Sequence, residues 1–412
     1  MNPYGAIVLA ALLFEFALGV VADALNLRAL DPVVPEEFRD VYDAERYRRV
    51  QDYTRARSRF GLVASGVQLA LLLAFWFAGG FGDLDRSVGA LGLGPIATGL
   101  LYLGALGLGR VIVGLPFRWW STFVVEERFG FNRTAPKIFW MDLLKGTLLA
   151  VLLGGPLLAA VLWLFERTGS QAWLWCWLAS AVYVLAVEFI APTWIMPLFN
   201  RFEPLGHGPL RDAVLAYARS VSFPLAGVFV MDGSRRTSKA NALFTGFGRN
   251  KRIALFDTLL DKLAAEEVVA VLAHEIGHYK RRHVVQGTVI ALLHLGVVLF
   301  VVSVLMARPG LFEAFGIQAR PVHAGLVFSA LLLSPVEILL AVVLHALSRR
   351  NELQADAFAV ATTGSGERLA HALKRLSADA LSNLTPHPLY VVLHYSHPPV
   401  RERVRALQSA QA

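Results

Sequence analysis

Seven long apolar stretches, 6–25, 62–81, 89–113, 143–165, 172–198, 287–307 and 324–347, leave this chain few ways to fold. Each has about the 20 residues needed to cross roughly 30 Å of hydrocarbon, where a helix satisfies its own backbone groups. With 56% hydrophobic and 17% charged residues and a mean hydropathy of +0.52, the composition excludes an ordinary soluble domain. The first stretch carries Ala22-Asp23-Ala24, which resembles a signal cleavage site. No Lys or Arg precedes Arg28, however, and Glu15 interrupts the run, so it reads as a retained span. The single Cys176 lies in the fifth stretch, where no internal disulfide can form and a thiol packs.

The basic residues orient the set. Eight arginines fall between Arg28 and Arg59, the connection after the third stretch carries Arg118, Arg128, Arg133 and Lys137, and thirteen Lys and Arg fall between Arg201 and Arg282. The alternate connections hold only Arg86, then Arg167, then Arg308 and Arg320. Positive-inside bias therefore predicts an outward amino terminus, with the long polar regions and carboxyl terminus in the cytoplasm. The net charge of +8 belongs to these loops. Aromatic residues do not interleave with the cations, so no nucleic-acid partner is expected.

Two polar regions escape the apolar pattern, which predicts four segments. Residues 1–199 are five membrane helices with their loops, and 200–286 are the first part of a domain outside the membrane. Residues 287–347 are helices six and seven, and 348–412 are the second part of that domain. In the first polar region, 225–234 and 251–257 read as strands rich in Val, Ile and Phe, and 241–251 as a third strand running into a Gly/Asn turn. A helix follows. Glu266 and Glu267 suit its positive end, Lys280 to Arg282 its negative end, and Val268, Val269, Leu272 and Ile276 its spacing.

That helix contains "HEIGH", with His274 and His278 at i and i+4. Two imidazoles so spaced stand about 6 Å apart on one face and can share a Zn²⁺ ion. Glu275 is then placed to activate a zinc-bound water for peptide hydrolysis. Composition alone yields this pattern on the order of one time in a hundred. In the second polar region "NELQAD" places Glu352 and Asp356 at i and i+4, offering a third ligand and a carboxylate for the free nitrogen of a ligating His, His274 for choice. The plainer account is a solvated acidic face paired with Arg349 and Arg350.

Together "HEIGH", "NELQAD" and "HYSHPPVRERVRAL" (394–407) resemble the type I CAAX prenyl endopeptidases, membrane zinc metalloproteases of the gluzincin class. The likeness extends to 123–134, 197–210 and 228–260, in family order. It implies a mainly α integral membrane fold, with seven helices enclosing a chamber and a zincin-like domain with a small β-sheet at its cytoplasmic end. It also implies one zinc per chain held by His274, His278 and Glu352, with Glu275 as catalytic carboxylate. The strand around Asn241, Ala242 and Gly246 would align an extended substrate by strand addition. His397 and Arg403 match positions near the family's site, with oxyanion or carboxylate contacts as their expected roles. For these two the plainer accounts are helix capping and a surface ion pair with Glu402.

Glu15, Arg110, Asp142, Lys145, Glu188, His294, Glu337 and His345 lie in or beside apolar stretches, where lipid exposure is costly, so they are expected to face a wet interior. His207, His283, His323, His371, His387 and His394 read as surface or packing residues. The resemblance implies a peptide or protein partner, lipidated or membrane-associated, with membrane lipid around it. The preference for Arg over Lys, with many Ala and Gly, suggests a bacterial inner membrane. There quality control of the kind performed by HtpX-type proteases is an alternative, although those have fewer spans. A transporter or receptor with an incidental HEIGH is the alternative outside enzymes.

Overall fold

The computed structural model describes residues 1–245 and 251–409. Among them seven helices are long and apolar enough to span a membrane. The first five are α1 (Pro3–Arg28), α2 (Ala44–Phe77), α3 (Pro95–Glu126), α4 (Pro136–Arg167) and α5 (Gly169–Leu198). Next come β1 (Phe202–Pro204), α6 (Pro209–Ser220), β2 (Leu225–Met231), β3 (Ala242–Thr245), β4 (Lys251–Phe256) and α7 (Ala265–Lys280). The last two spans, α8 (His283–Met306) and α9 (Val322–Thr363), lead to α10 (Glu367–Asp379), α11 (Pro388–His394) and α12 (Val400–Ser409). Local signals set several starts: Asn2 accepts from the Gly5 amide and Asp43 from the Arg46 amide, each filling an orphan donor of a first turn.

The spans pack at their ends and little between. At the end away from the polar regions, Val8, Trp76, Phe81, Tyr102, Phe312, Phe315 and Phe328 form a closed plug, with Phe315 stacked on Phe328 at 3.9 Å. In between, only 6% of the most apolar window of α2 and 11% of that of α3 is buried. A Cβ added at Gly104, Gly107, Gly109 or Gly114 of α3 would meet nothing within 4 Å. Glycines in a membrane helix usually mark close helix contact. These have no such contact, so the spans stand apart along their middles, and a cavity opens among α5, α8 and α9.

The opposite end is closed by a folded domain. Its sheet has the order β1-β2-β4-β3; β2 and β4 are parallel, the outer pairs antiparallel, and β3 is an edge strand. The strand expected at 225–234 ends at Met231, and the one expected at 241–251 is described as Ala242–Thr245, residues 246–250 lying outside the described residues. β1 has only three residues and no apolar pattern of its own. The core beneath the sheet is not confined to the two polar regions. Phe38, Tyr47 and Tyr53 from before and within α2, and Phe129 and Phe131 from after α3, pack with Ile276 of α7, Leu369 of α10 and Val404 of α12. Lys239 pairs with Glu126 and donates to Tyr53 Oη, both at 2.8 Å, pinning the segment that leads into β3.

α9 is a continuous helix of 42 residues, so it rises about 63 Å, twice what the membrane needs. No break separates the seventh span from Glu352 and Asp356, and Gly364 at φ +74° ends the helix. The span and the acidic face are one rigid element.

Candidate metal centre

α7 crosses α9 at Gly277, the fourth residue of HEIGH. A Cβ there would stand 3.0 Å from the carbonyl oxygen and 3.1 Å from the Cα of Ala355, both backbone atoms. The missing side chain lets the two helices approach until residues 274 and 278 face residue 352. His274 Nε2 lies 3.4 Å from Glu352 Oε2, His278 Nε2 3.3 Å from Glu352 Oε1, and the two Nε2 atoms 3.2 Å apart.

These separations test whether a metal fits. With bonds of about 2.0–2.2 Å, the ligand atoms of a tetrahedral ion stand about 3.3 Å apart; the two imidazole nitrogens are 3.2 Å apart, and each lies at about that distance from one oxygen of Glu352, His274 from Oε2 and His278 from Oε1. Glu352 Oε2 is buried, with no hydrogen bond among the described residues. Two imidazole nitrogens and the oxygens of one carboxylate thus surround a common point, a donor set that a divalent cation satisfies together. The residues fit.

The surroundings fix each ring. His274 Nδ1 donates to Asp356 Oδ1 at 2.8 Å, leaving Nε2 to face Glu352. Arg403 of α12 completes the support: its Nη2 and Nε reach Asp356 Oδ1 and Oδ2 at 2.6 and 2.8 Å, and its Nη1 stands 3.3 Å from Glu352 Oε2. Burial disfavours the Arg403 cation, but Asp356 and Glu352 outweigh it and hold the guanidinium above its ordinary pKa. For His274, burial favours the neutral ring, yet the facing carboxylates of Asp356 and Glu352 raise its pKa overall. The surface pair between Arg403 and Glu402 does not form: Arg403 is 7% exposed and spends its donors on Asp356 and Glu352.

His397 Nε2 lies 3.3 Å from Glu352 Oε1, while its Nδ1 meets Ser396 Oγ at 2.9 Å. Its exposed ring opens on a cavity of about 1220 Å³. Desolvation by the surrounding protein holds His397 below the usual histidine value. Glu275 lines the same cavity, as do Asn241 and Ala242. Gly246 lies outside the described residues.

The ionisable residues of the spans divide. Glu188 and His294 line the cavity, His294 pairing with Glu337 at 3.0 Å. Asp142 accepts from Arg236 at 2.7 and 3.0 Å, and Lys145 donates to the Leu198 carbonyl at 2.8 Å. Among the histidines expected merely to pack, His323 pairs with Asp85 at 2.8 Å and His283 reaches the centre itself, 3.1 Å from His278. Its spacing, five residues beyond His278, matches no helical face, so periodicity gave it no signal.

A helical membrane bundle closed by a domain of this kind, with HExxH facing a carboxylate from a second helix, defines an integral membrane metallopeptidase. Residues 23–201 match the family model described as CAAX prenyl protease N-terminal, five membrane helices, and residues 204–411 match that of Peptidase family M48. The chain belongs to Peptidase family M48 and is a metalloendopeptidase. It is 35% identical to the CAAX prenyl protease 1 homolog of Oryza sativa subsp. japonica, covering 100% of this chain and 98% of that one. It is 33% identical to CAAX prenyl protease 1 of Saccharomyces cerevisiae, covering 93% and 89%. The crystal structure of S. mikatae Ste24p superposes with a TM-score of 0.92 at 32% identity, covering 99% of each chain. The transporter or receptor reading falls with these matches.

Proposed function

We propose that the protein is a zinc-dependent endopeptidase that cleaves membrane-associated peptides and proteins, lipidated CAAX-type substrates among them, at the cytoplasmic end of its chamber. The observation that carries this is the convergence of His274 Nε2, His278 Nε2 and the two oxygens of Glu352, at 3.2 to 3.4 Å. In this reading these three residues hold one zinc, which when bound supplies Lewis-acid polarisation of the scissile carbonyl.

The chain's own residues do the rest. Glu275 takes the proton of the attacking water and returns it to the leaving amine. His397, at the cavity face of Glu352, donates to the oxyanion of the tetrahedral intermediate. Arg403 holds Asp356 and Glu352 in place, and Asp356 in turn holds the His274 ring. The free edge of β3, around Asn241 and Ala242, takes the substrate backbone as an added strand, reading little of its sequence. The cavity runs from this edge to Glu188, His294 and Leu344 in the spans, and so brings a membrane-associated substrate to the centre. Placement of Lys and Arg supports an amino terminus outside and a catalytic domain in the cytoplasm, and the preference for Arg over Lys with many Ala and Gly supports a bacterial inner membrane.

The test is metal analysis of purified protein alongside Glu275→Gln and His274→Ala. The expected result is about one zinc per chain in parent and Glu275→Gln, zinc lost in His274→Ala, and hydrolysis lost in both variants. A parent without zinc, or cleavage surviving in Glu275→Gln, overturns the proposal. Assayed on a peptide with and without its prenyl group, the parent should prefer the lipidated form; equal rates assign it instead to unlipidated membrane proteins.

A further inference from the structure

The sequence "HEIGHYKRRH" ends in a histidine that the mechanism above does not use. His283, the first residue of α8, is buried at 8% exposure. Its Nδ1 lies 3.1 Å from His278 Nδ1, and its Nε2 lies 3.0 Å from Gln354 Oε1 on α9. The His278 and His283 rings meet edge to face, 5.1 Å between centroids and 74° between planes. His283 therefore sits behind the His278 ring, on the side away from Glu352.

Such an arrangement is not reached by a continuous helix, where residues i and i+5 point about 140° apart. Arg282 makes it: this non-glycine residue sits at φ +59°, ψ 28°, between the last turn of α7 and the first of α8. A left-handed backbone of this kind in a residue other than glycine costs of order 1 kcal/mol and persists where the surroundings enforce it. Here it turns the chain so that its next residue falls against the second histidine of HEIGH.

We infer that His283 is a positioning residue for the metal centre, accepting the Nδ1 proton of His278 and so aiming its Nε2 at the metal. The claim rests on the zinc reading above. The hydrogen-bond chain admits one consistent assignment. When His278 Nε2 gives its lone pair to a metal, its Nδ1 carries the proton and donates to His283 Nδ1. The proton of His283 then lies on Nε2, where Gln354 Oε1 accepts it. Each link fixes the next, and the last is anchored on the helix that carries Glu352.

The same geometry divides the polar residues of "NELQAD" between two tasks. Glu352 and Asp356 face the two imidazoles of HEIGH. Asn351 and Gln354 face the first turn of α8, Asn351 donating to Gln286 Oε1 at 3.1 Å and Gln354 accepting from His283. The sixth span is thus tied to the centre through a side chain, and the two ligating rings have unlike supports. His274 leans on a carboxylate, His278 on a neutral imidazole.

The experiment measures Zn²⁺ affinity of the full-length protein in detergent by competition with a chromophoric chelator. His283→Leu should weaken zinc binding about tenfold to a hundredfold, the range for outer partners of ligating histidines. His283→Asn, which keeps an acceptor oxygen near the Nδ1 position, should recover most of that loss. Unchanged affinity in His283→Leu overturns the inference, as does an equal loss in His283→Asn, which assigns the effect to packing. Should His283→Leu fail to fold, Gln354→Met decides: reduced affinity in a folded chain supports the relay and unchanged affinity overturns it. A parent that binds no zinc refutes the zinc reading instead, so the two failures are distinct.

Discussion

His274 Nδ1 and Asp356 Oδ1 stand 2.8 Å apart with both side chains almost wholly buried, and this contact leaves Nε2 as the ring nitrogen free for a metal. Without Asp356 the ring can turn over or carry its proton on the wrong nitrogen. Asp356→Ala is expected to lower zinc affinity by about tenfold to a hundredfold while leaving the seven spans folded. Chelator competition checks this, and parental affinity in the variant would refute it.

Arg403 predicts a larger effect on stability than on metal binding. It is the cation that faces the Asp356 and Glu352 carboxylates, each 4% exposed. Removing one partner from a buried charged group leaves the others uncompensated, which costs about 3–5 kcal/mol. Arg403→Met should show a loss of this order in denaturant unfolding of the detergent-solubilised protein. Arg403→Lys should recover little, because one ammonium cannot reproduce the two parallel bonds from Nε and Nη2 to Asp356. Full recovery by lysine would show that charge alone matters.

Gly277→Ala sets two effects against each other. Alanine in place of a mid-helix glycine favours the helix by about 1 kcal/mol. The added Cβ, however, meets the Ala355 backbone at 3.0 and 3.1 Å, and a rigid helix yields only by moving away. Overpacking of this kind costs about 1–3 kcal/mol, so the clash should win. The displaced α9 carries Glu352, and zinc affinity should fall together with thermal stability. A variant more stable than the parent, with zinc retained, would show that the helices have room to spare.

How much of this was legible in the sequence depended on the range of each signal. The spans were legible because apolar length is a local property, but their extents were not. Nothing between Leu347 and Glu352 breaks a helix, so the seventh span runs on into the site. HEIGH and the Glu352–Asp356 pair announced themselves by i, i+4 spacing, and Asp356 stands where that spacing put it, against His274. Arg403 was misjudged in its plainer account because adjacency suggested Glu402, whereas its direction is set by α12 packing on a core that draws residues from before and within α2. His283 was passed over because its position depends on one left-handed residue, Arg282, that no periodicity reveals. The two core segments around Tyr47 and Phe129 lie in what read as loops, since short aromatic runs between spans carry no pattern showing what they will pack on.

The free edge of β3 yields a prediction that separates substrate binding from metal chemistry. The Asn241 carbonyl accepts from the Phe256 amide at 3.0 Å, so Asn241 points its backbone toward β4. Alternation along an antiparallel strand then turns the main-chain groups of Ala242 and Phe244 outward, away from β4. Among the described residues the Ala242 amide is met by its neighbour, Asn241 Oδ1 at 2.9 Å, a local bond that an incoming peptide can replace. Proline at this position removes the outward N–H while sparing the ladder to β4, and edge strands tolerate proline. One lost hydrogen bond of about 0.5–1.5 kcal/mol corresponds to a rise in KM of roughly twofold to tenfold. Ala242→Pro should therefore raise KM with kcat and zinc content little changed. A fall in kcat at constant KM would mean that the β3 edge does not hold the substrate.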